Sequence, residues 1–404
     1  MTTENLNETL HKKTIDCTSI LNIHNAVKFL DSNKKTVIIT GVTGQDGSFM
    51  SDYLLQNTDH IIFGGVRRLS VHNHKNISHI KSDRYHLINF DLTDSHSISQ
   101  IIDKLKPDYF INFAAQSFVA SSWDFARQTW ECNSTAILDI LEAVRLYNPT
   151  CRVYNAGSSE EFGNVIYSPQ NEEHPLRPRS PYAASKAAAR QLIKVYRESY
   201  NLYAVQGWLF NHEGTRRGEE FVTRKITKGI AKIKKAIMDV KPFEPLELGN
   251  IDAKRDWSDA EDFIDAVWKM LNQEKYNVNL KFFSPSPLSK ELLRDKEFLV
   301  KNLKDYVVSS GENHSIREFV DLAFYNSGIK GKWKGDGLNS IFESGDQILV
   351  KINPNFYRPA EVDALVGDSS KIKNDLGWQP KTTFNQLIKK MVDNDRDLCY
   401  GYIK

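Results

Sequence analysis

Tyr182 and Lys186 stand four residues apart in the run SPYAASKAAAR. On a helix that spacing sets a phenol and an ammonium on one face. A nearby ammonium stabilises the phenolate and can draw the tyrosine towards working pH. The pair can then take a proton from an alcohol while hydride leaves the same carbon. Upstream, Gly157-Ser158-Ser159-Glu160 follows a short apolar run. An ordinary alcohol dehydrogenase needs only a serine, tyrosine and lysine, so Glu160 is a carboxylate to spare. With Ser158 nearby, it suits removal of a proton beside a newly made ketone and protonation of a departing hydroxyl. A capping or solvated glutamate is the plainer reading of Glu160. The expected catalytic set is Ser158, Glu160, Tyr182 and Lys186.

A second constellation lies nearer the start of the chain. Gly41-Val42-Thr43-Gly44-Gln45-Asp46-Gly47 separates a β-branched run from an amphipathic one. In a strand–loop–helix setting, glycine permits the tight turn, lets the backbone approach a pyrophosphate and lets the helix pack on the strand. Phosphate oxygens then meet free N–H groups at the helix start. The next apolar run leads straight into Arg67-Arg68. An NAD site usually places a carboxylate there for the ribose hydroxyls, whereas paired guanidiniums fit a 2′-phosphate, so the cofactor expected is NADP. Asp91-Leu92 follows the third run, where a carboxylate can reach the adenine amino group. Ala114-Ala115-Gln116-Ser117 follows the fourth, where small residues let the chain pass close to the cofactor.

Side chains so far apart need a scaffold that brings them together. Strands are expected at Thr36–Thr40, Ile61–Val66, His86–Asp91, Tyr109–Ala114, Val153–Ala156 and Ala204–Phe210, each short and apolar. Between them, Phe49, Met50, Tyr53 and Leu54 share one helical face, and Ala136, Ile137, Ile140, Leu141 and Val144 share another. Strands alternating with helices give an α/β class with a doubly wound parallel (Rossmann) sheet. That sheet is expected over residues 36–210 as the NADP-binding domain. Residues 211–404 are expected to form mainly a smaller substrate-binding region, with Tyr306–Ser309 returning to the sheet. Segments 211–258 and 311–363 read as loops and short elements around a pocket, and 276–304 as a charged surface insertion. Residues 1–35 read as a loosely ordered extension with a short helix around Ile20–Leu30.

The 404 residues carry 53 Lys and Arg against 51 Asp and Glu, a formal net charge of +2. That balance gives no electrostatic reason to expect nucleic acid or membrane as a partner. The polar start of the chain has no apolar segment of a secretory signal, and four scattered cysteines lack CxxC spacing, so a cytoplasmic protein without structural disulfides is expected. His72, His74 and His79 lie in a polar stretch and read as surface residues, so no metal is expected.

With these motifs in order, the sequence resembles the extended short-chain dehydrogenase/reductase superfamily and, within it, the GDP-mannose 4,6-dehydratases. The resemblance runs from about Thr36 to Met391. Beyond the glycine loop, VRR and YxxxK, it rests on DLTD (91–94), LFNHE (209–213), RRG (216–218), FVTRKI (221–226), GNIDAKRDW (249–257) and YRPAEVDALVGD (357–368). It implies that Tyr182 is the base, Lys186 its support and Glu160 the acid/base carboxylate, with Ser158 at the family's threonine position. It implies that His212 and Arg217 help to bind NADP, and that Asn211, Lys225, Arg255, Arg358 and Glu361 face the GDP-sugar. Where the family reads ASTSE this chain has AGSSE followed by Glu161. The reaction implied is oxidation at C4, loss of water across C5 and C6, and return of hydride to C6, by a homodimer or homotetramer. A GDP-sugar reductase or epimerase is the nearest alternative, and a catalytically silent NADP-binding protein is the alternative of another class.

Overall fold

The computed structural model describes residues 19–71, 73–273, 303–357 and 365–402. Eight parallel strands form the central sheet: β1 (Ile20–Leu21), β2 (Thr36–Thr40), β3 (Ile61–Val66), β4 (Tyr85–Asn89), β5 (Tyr109–Asn112), β6 (Arg152–Ala156), β7 (Ala204–Leu209) and, after several elements, β12 (Val307–Val308). Their order is β1-β4-β3-β2-β5-β6-β7-β12. The six inner strands have the doubly wound order, whose reversal at β2 opens a crevice beyond the strand ends. Val37, Ile38 and Ile39 of β2 are fully buried, as a strand covered on both faces must be.

Helices cover both faces. On one, α2 (Gln45–Asn57) contributes Phe49, Met50 and Leu54 to a core shared with Phe263 and Val267. On the other, α3 (Ser95–Leu105), α5 (Ala136–Tyr147) and α6 (Pro181–Tyr200) bury Ile98, Ile140, Leu141 and Ile193. A short α4 (Ala126–Trp130) precedes α5. The expected strands at 36–40 and 61–66 are present as written. β4, β5 and β7 end one or two residues early, because the chain leaves the ladder there to enter the loops of the site.

Near the N-terminus the expected helix around Ile20–Leu30 is shorter. Ile20 and Leu21 instead pair in parallel with Leu87 and Ile88 of β4, and only α1 (Ile23–Ala26) and one 3-10 turn (Val27–Phe29) are helical. Residues 19–35 are therefore tied to the sheet edge rather than loose: Ala26 is fully buried and the Phe29 ring lies 3.9 Å from that of His86. Edge pairing satisfies backbone groups that a free tail would leave to water.

Beyond β7 come β8 (Asn211–Glu213), α7 (Val222–Met238), β9 (Leu246–Leu248), β10 (Lys254–Arg255), β11 (Trp257–Asp259), α8 (Ala260–Leu271), β13 (His314–Ser315), α9 (Ile316–Ser327), β14 (Lys332–Lys334), β15 (Ile341–Ser344), β16 (Gln347–Ile352), α10 (Ser370–Leu376) and α11 (Phe384–Tyr400). The expectation of only loops and short elements over 211–258 needs correcting, because α7 is 17 residues long. Ile226, Ile230 and Ile233 mark its buried face, and the dense lysines on its other side hide that periodicity in the sequence. α7, α9 and α11 share a separate core with Phe319, Phe324, Leu387 and Met391. α8 and β12 lie beyond residue 211 yet pack on the large sheet, β12 pairing Val307 with Trp208 of β7. Most of the expected 276–304 insertion lies outside the described residues.

Candidate active site

The C-terminal ends of β2 to β7 deliver the candidate residues to one edge of the sheet. α6 begins there with Ser180, whose hydroxyl accepts from the Ala183 N–H at 3.0 Å, and with Pro181 in the first turn. A cap of this kind contributes ~1 kcal/mol, and Pro is already set for a first-turn position. Tyr182 and Lys186 follow on the helix face turned towards β6. Opposite them, a single 3-10 turn (Ser159–Glu161) starts at Ser158, whose hydroxyl accepts from Glu160 N at 3.2 Å. Glu161 closes a capping box by accepting from Ser158 N at 2.8 Å. Glu161 is fully buried and ion-paired to Arg190 at 2.5 Å. Its side chain therefore turns away from Glu160 to hold the turn in place.

The electrostatics differ from what YxxxK spacing suggests. Burial is the main force on Tyr182 and pushes its phenol up to about 12; the Ser158 side chain and Arg217 pull down, Glu160 and Glu161 push up. Lys186 is pushed down to about 8 by burial, against the pull of Glu161 and Asp46. Its Nζ donates to the Ala156 carbonyl at 2.7 Å and lies 5.9 Å from the Tyr182 ring centre. The expected lowering of Tyr182 by Lys186 is thus not seen: burial and two carboxylates raise the phenol, and the groups that draw it down are Ser158 and Arg217.

The glycine loop fits a nucleotide diphosphate. Gly41 has φ +69°, and a Cβ there would lie 2.8 Å from Ala114 N; a Cβ on Gly47 would lie 2.4 Å from Gly41 O. Both positions therefore require glycine. Among the described residues no side chain caps the N-terminus of α2, and the buried Gln45 Oε1 has no hydrogen-bond partner. Thr43 holds the loop to the next one by accepting from Asn76 Nδ2 at 2.9 Å. Asp46 Oδ2 lies 2.9 Å from His212 Nε2. Burial opposes charge on both, yet the pairing wins: Asp46 sits below and His212 above its ordinary value. Arg67 and Arg68 are exposed at the end of β3, and Asp91, Leu92 and Ala114–Ser117 follow β4 and β5.

A cleft of about 610 Å³ joins these parts. Asp46, Ala115, Ser117, Ser158, Glu160, Tyr182 and Lys186 line it from the side of the large sheet, Asn211, His212 and Arg217 from β8 and the loop after it, and Lys225 and Arg255 from further along the chain. Lys225 Nζ sits 3.9 Å above the Phe356 ring, and burial holds its pKa below the ordinary lysine value. Gly41, Thr43, Gly44, Gln45, Gly47, Arg67, Arg68, Asp91, Leu92, Ala114 and Gln116 do not line this cavity but belong to the adjoining strand-end loops. Arg358 and Glu361 lie outside the described residues.

Three supporting groups were not singled out from the sequence. Asn133, in a wide π turn between α4 and α5, accepts from Gln116 N at 2.9 Å and donates to Gln116 O and Ser185 Oγ. It thereby ties the Ala114–Ser117 loop to α6. Arg224 pairs with Asp395 at 2.7 Å and donates to the carbonyls of Thr215 and Arg217, holding the loop that presents Arg217. Arg190 is the third, through Glu161. Only Arg190 left a trace, as the next i+4 position after Lys186.

A family model described as GDP-mannose 4,6 dehydratase matches residues 38–281 and 297–391. Among curated relatives, GDP-mannose 4,6 dehydratase of Drosophila melanogaster is 42% identical over 379 residues, covering 91% of this chain and 88% of that protein. GDP-mannose 4,6 dehydratase of Homo sapiens is 38% identical over 378 residues, covering 90% and 92%. GDP-mannose 4,6-dehydratase of Vibrio cholerae is 36% identical over 391 residues, covering 92% and 96%. Among solved structures, dTDP-glucose 4,6-dehydratase from Bacillus anthracis in complex with NAD superposes with a TM-score of 0.67 at 20% identity, covering 89% of this chain and 96% of that one. RMD from Pseudomonas aeruginosa complexed with NADPH superposes with a TM-score of 0.66 at 20% identity, covering 90% and 100%. At such identities these two likenesses bear on the fold alone.

Proposed function

The chain belongs to the GDP-mannose 4,6-dehydratase family, and we propose that it removes water from GDP-mannose with Ser158, Glu160, Tyr182 and Lys186 as the reacting set and NADP as the cofactor. The product is GDP-4-dehydro-6-deoxy-mannose. The observation that carries the reading is the meeting of these four side chains, two on the turn after β6 and two on α6, in one cleft with the cations Lys225 and Arg255.

When bound, the nicotinamide supplies reversible hydride transfer, out from C4 and back to C6, so the reaction has no net redox change. Tyr182 takes the proton of the C4 hydroxyl, and Ser158 holds that oxygen by a hydrogen bond. The C4 ketone acidifies the C5–H bond, and Glu160 removes that proton. Glu160 then returns it to the leaving C6 hydroxyl, which departs as water. When hydride has been added at C6, Glu160, reprotonated from solvent, gives a proton to C5. The phenol of Tyr182 loses to solvent the proton it took from the C4 hydroxyl. Lys186, anchored on the Ala156 carbonyl, places its ammonium beside the phenol side of the cleft. Lys225 and Arg255 meet the diphosphate, Asn211 the sugar side, and His212 and Arg217 the cofactor phosphates.

Arg67 and Arg68 at the end of β3, with no carboxylate beside them in the sequence VRRLS, support NADP over NAD. A homodimer or homotetramer in the cytoplasm completes the reading; among the described residues no helix is long and apolar enough to cross a membrane.

The test is mass spectrometry of GDP-mannose incubated with the protein and catalytic NADP. Loss of one water from the sugar without accumulation of NADPH is expected. Net consumption of NADPH in a parallel incubation supplied with it, or an isomer of unchanged mass, would move the protein to the reductase or epimerase reading.

A further inference from the structure

A single row of buried polar side chains crosses the middle of the sheet. Thr40, Asn112, Asn155 and Gln206 are register partners on β2, β5, β6 and β7. All are at most 2% exposed. Thr40 Oγ1 donates to Asn112 Oδ1 at 2.5 Å, Asn112 Nδ2 to Asn155 Oδ1 at 2.7 Å, and Asn155 Nδ2 to Gln206 Oε1 at 2.6 Å. Gln206 Nε2 then donates to Glu161 Oε1 at 3.1 Å. At the other end, Thr40 Oγ1 accepts from Ala114 N at 3.2 Å. The row therefore starts at the Ala114–Ser117 loop, the candidate cofactor loop, and ends on the carboxylate that holds Ser158 N.

Every donor in the row points the same way. An ion-paired carboxylate has no proton to give, so Glu161 forces Gln206 to present its amide NH₂. That choice sets the orientation of Asn155, then of Asn112, and leaves Thr40 to donate along the row and accept from Ala114. Bonds aligned in this manner polarise and strengthen one another in a low-dielectric interior. Four apolar side chains would fill the same space without any of these polar atoms. The polar row spans the distance between the two halves of the site instead.

We propose that Thr40, Asn112, Asn155 and Gln206, terminated by the Glu161–Arg190 pair, are positioning residues that set the Ser158–Glu160 turn relative to the cofactor loop. The inference rests on Ser158 and Glu160 being the reacting groups named above. It adds that their placement is dictated through the sheet rather than by the turn alone.

Two nearly isosteric variants test it, Thr40→Val and Gln206→Met, each compared with Thr40→Ser as the hydroxyl-retaining rescue. Thr40→Val and Gln206→Met are expected to lower kcat about ten- to a hundred-fold with KM within about twofold, as small misplacements of reacting groups do. Thr40→Ser is expected to recover most of kcat. Solvent deuterium entry at C5, which reports Glu160, is expected to slow in parallel. In a Glu160→Gln background, Gln206→Met is expected to add less than about threefold, because the group it positions is already gone. A Gln206→Met or Thr40→Val protein with kcat within about twofold of wild type, or a loss that multiplies fully with Glu160→Gln, would overturn the proposal. Full activity of Glu160→Gln itself would instead overturn the assignment of Glu160 and leave the row without its object. Should Gln206→Met fail to fold, Thr40→Val carries the same comparison.

Discussion

Lys186 departs far from the chemistry of its free form. Burial brings it to about 8 from an ordinary 10.5. The sign is that of a buried cation: below that value the ammonium persists against a burial cost, and above it the amine is neutral. Between about 8 and 10.5 the unfolded chain binds the proton and the folded one does not, so this group adds stability as pH rises across that window. Activity moves the other way. If the ammonium is the form that supports Tyr182, kcat/KM is expected to fall above about pH 8, in a pH–rate profile of the free enzyme. A profile flat across that value would show that the neutral amine, still within reach of Ala156 O, serves equally well. Tyr182 at about 12 cannot itself account for a limb in that range.

At the scale of elements, the end of β3 is where the proposed preference for NADP is tested. Val66 is buried and Arg67 and Arg68, the next two residues, are exposed. Each guanidinium that meets a 2′-phosphate makes charge-assisted hydrogen bonds worth ~1.5–3 kcal/mol. Arg67→Ala and Arg68→Ala are therefore expected to weaken NADP binding by about tenfold or more while leaving NAD binding within about twofold, read by fluorescence titration. Equal losses for both cofactors would mean that the arginines act on the shared diphosphate or on the loop itself. α6 is a second case of an element with a divided task. Its buried face carries Tyr182 and Lys186 towards the cleft and Arg190 and Arg197 towards β7, where they meet Glu161 and Asp305. The same helix thus holds the proposed reacting pair and pins the turn opposite it.

For the molecule as a whole, α4 and α6 pack together and leave Trp130, Val195 and Tyr200 about half exposed, at 46%, 52% and 48%. Trp123 and Phe125, just before α4, are 56% and 55% exposed. Large apolar side chains left exposed on packed and adjoining elements favour association through a symmetric contact. Light scattering is expected to give the mass of a dimer or tetramer, and Val195→Glu is expected to lower it. A monomer mass for the unmodified protein would remove the oligomeric reading while leaving the cleft, which one chain lines by itself, unaffected.

The sequence by itself determined the strands at 36–40 and 61–66, the glycine loop, the Tyr182–Lys186 pair and the family resemblance. Each is written locally: a continuous apolar run for the buried strands, a step of three residues between the loop glycines and of four between Tyr182 and Lys186, and contiguous motifs for the resemblance. The edge strand at Ile20–Leu21 and the long α7 were harder to read, because a two-residue strand is too short to show a period and lysine density masked the apolar face of α7. Only the tertiary structure decided that Glu161 faces Arg190, 29 residues away, rather than Glu160. It alone lined up Thr40, Asn112, Asn155 and Gln206, whose separations along the chain run from 43 to 72 residues. Such partners share no period. They meet because parallel pairing sets one register across four strands, and that register exists only once the sheet has formed.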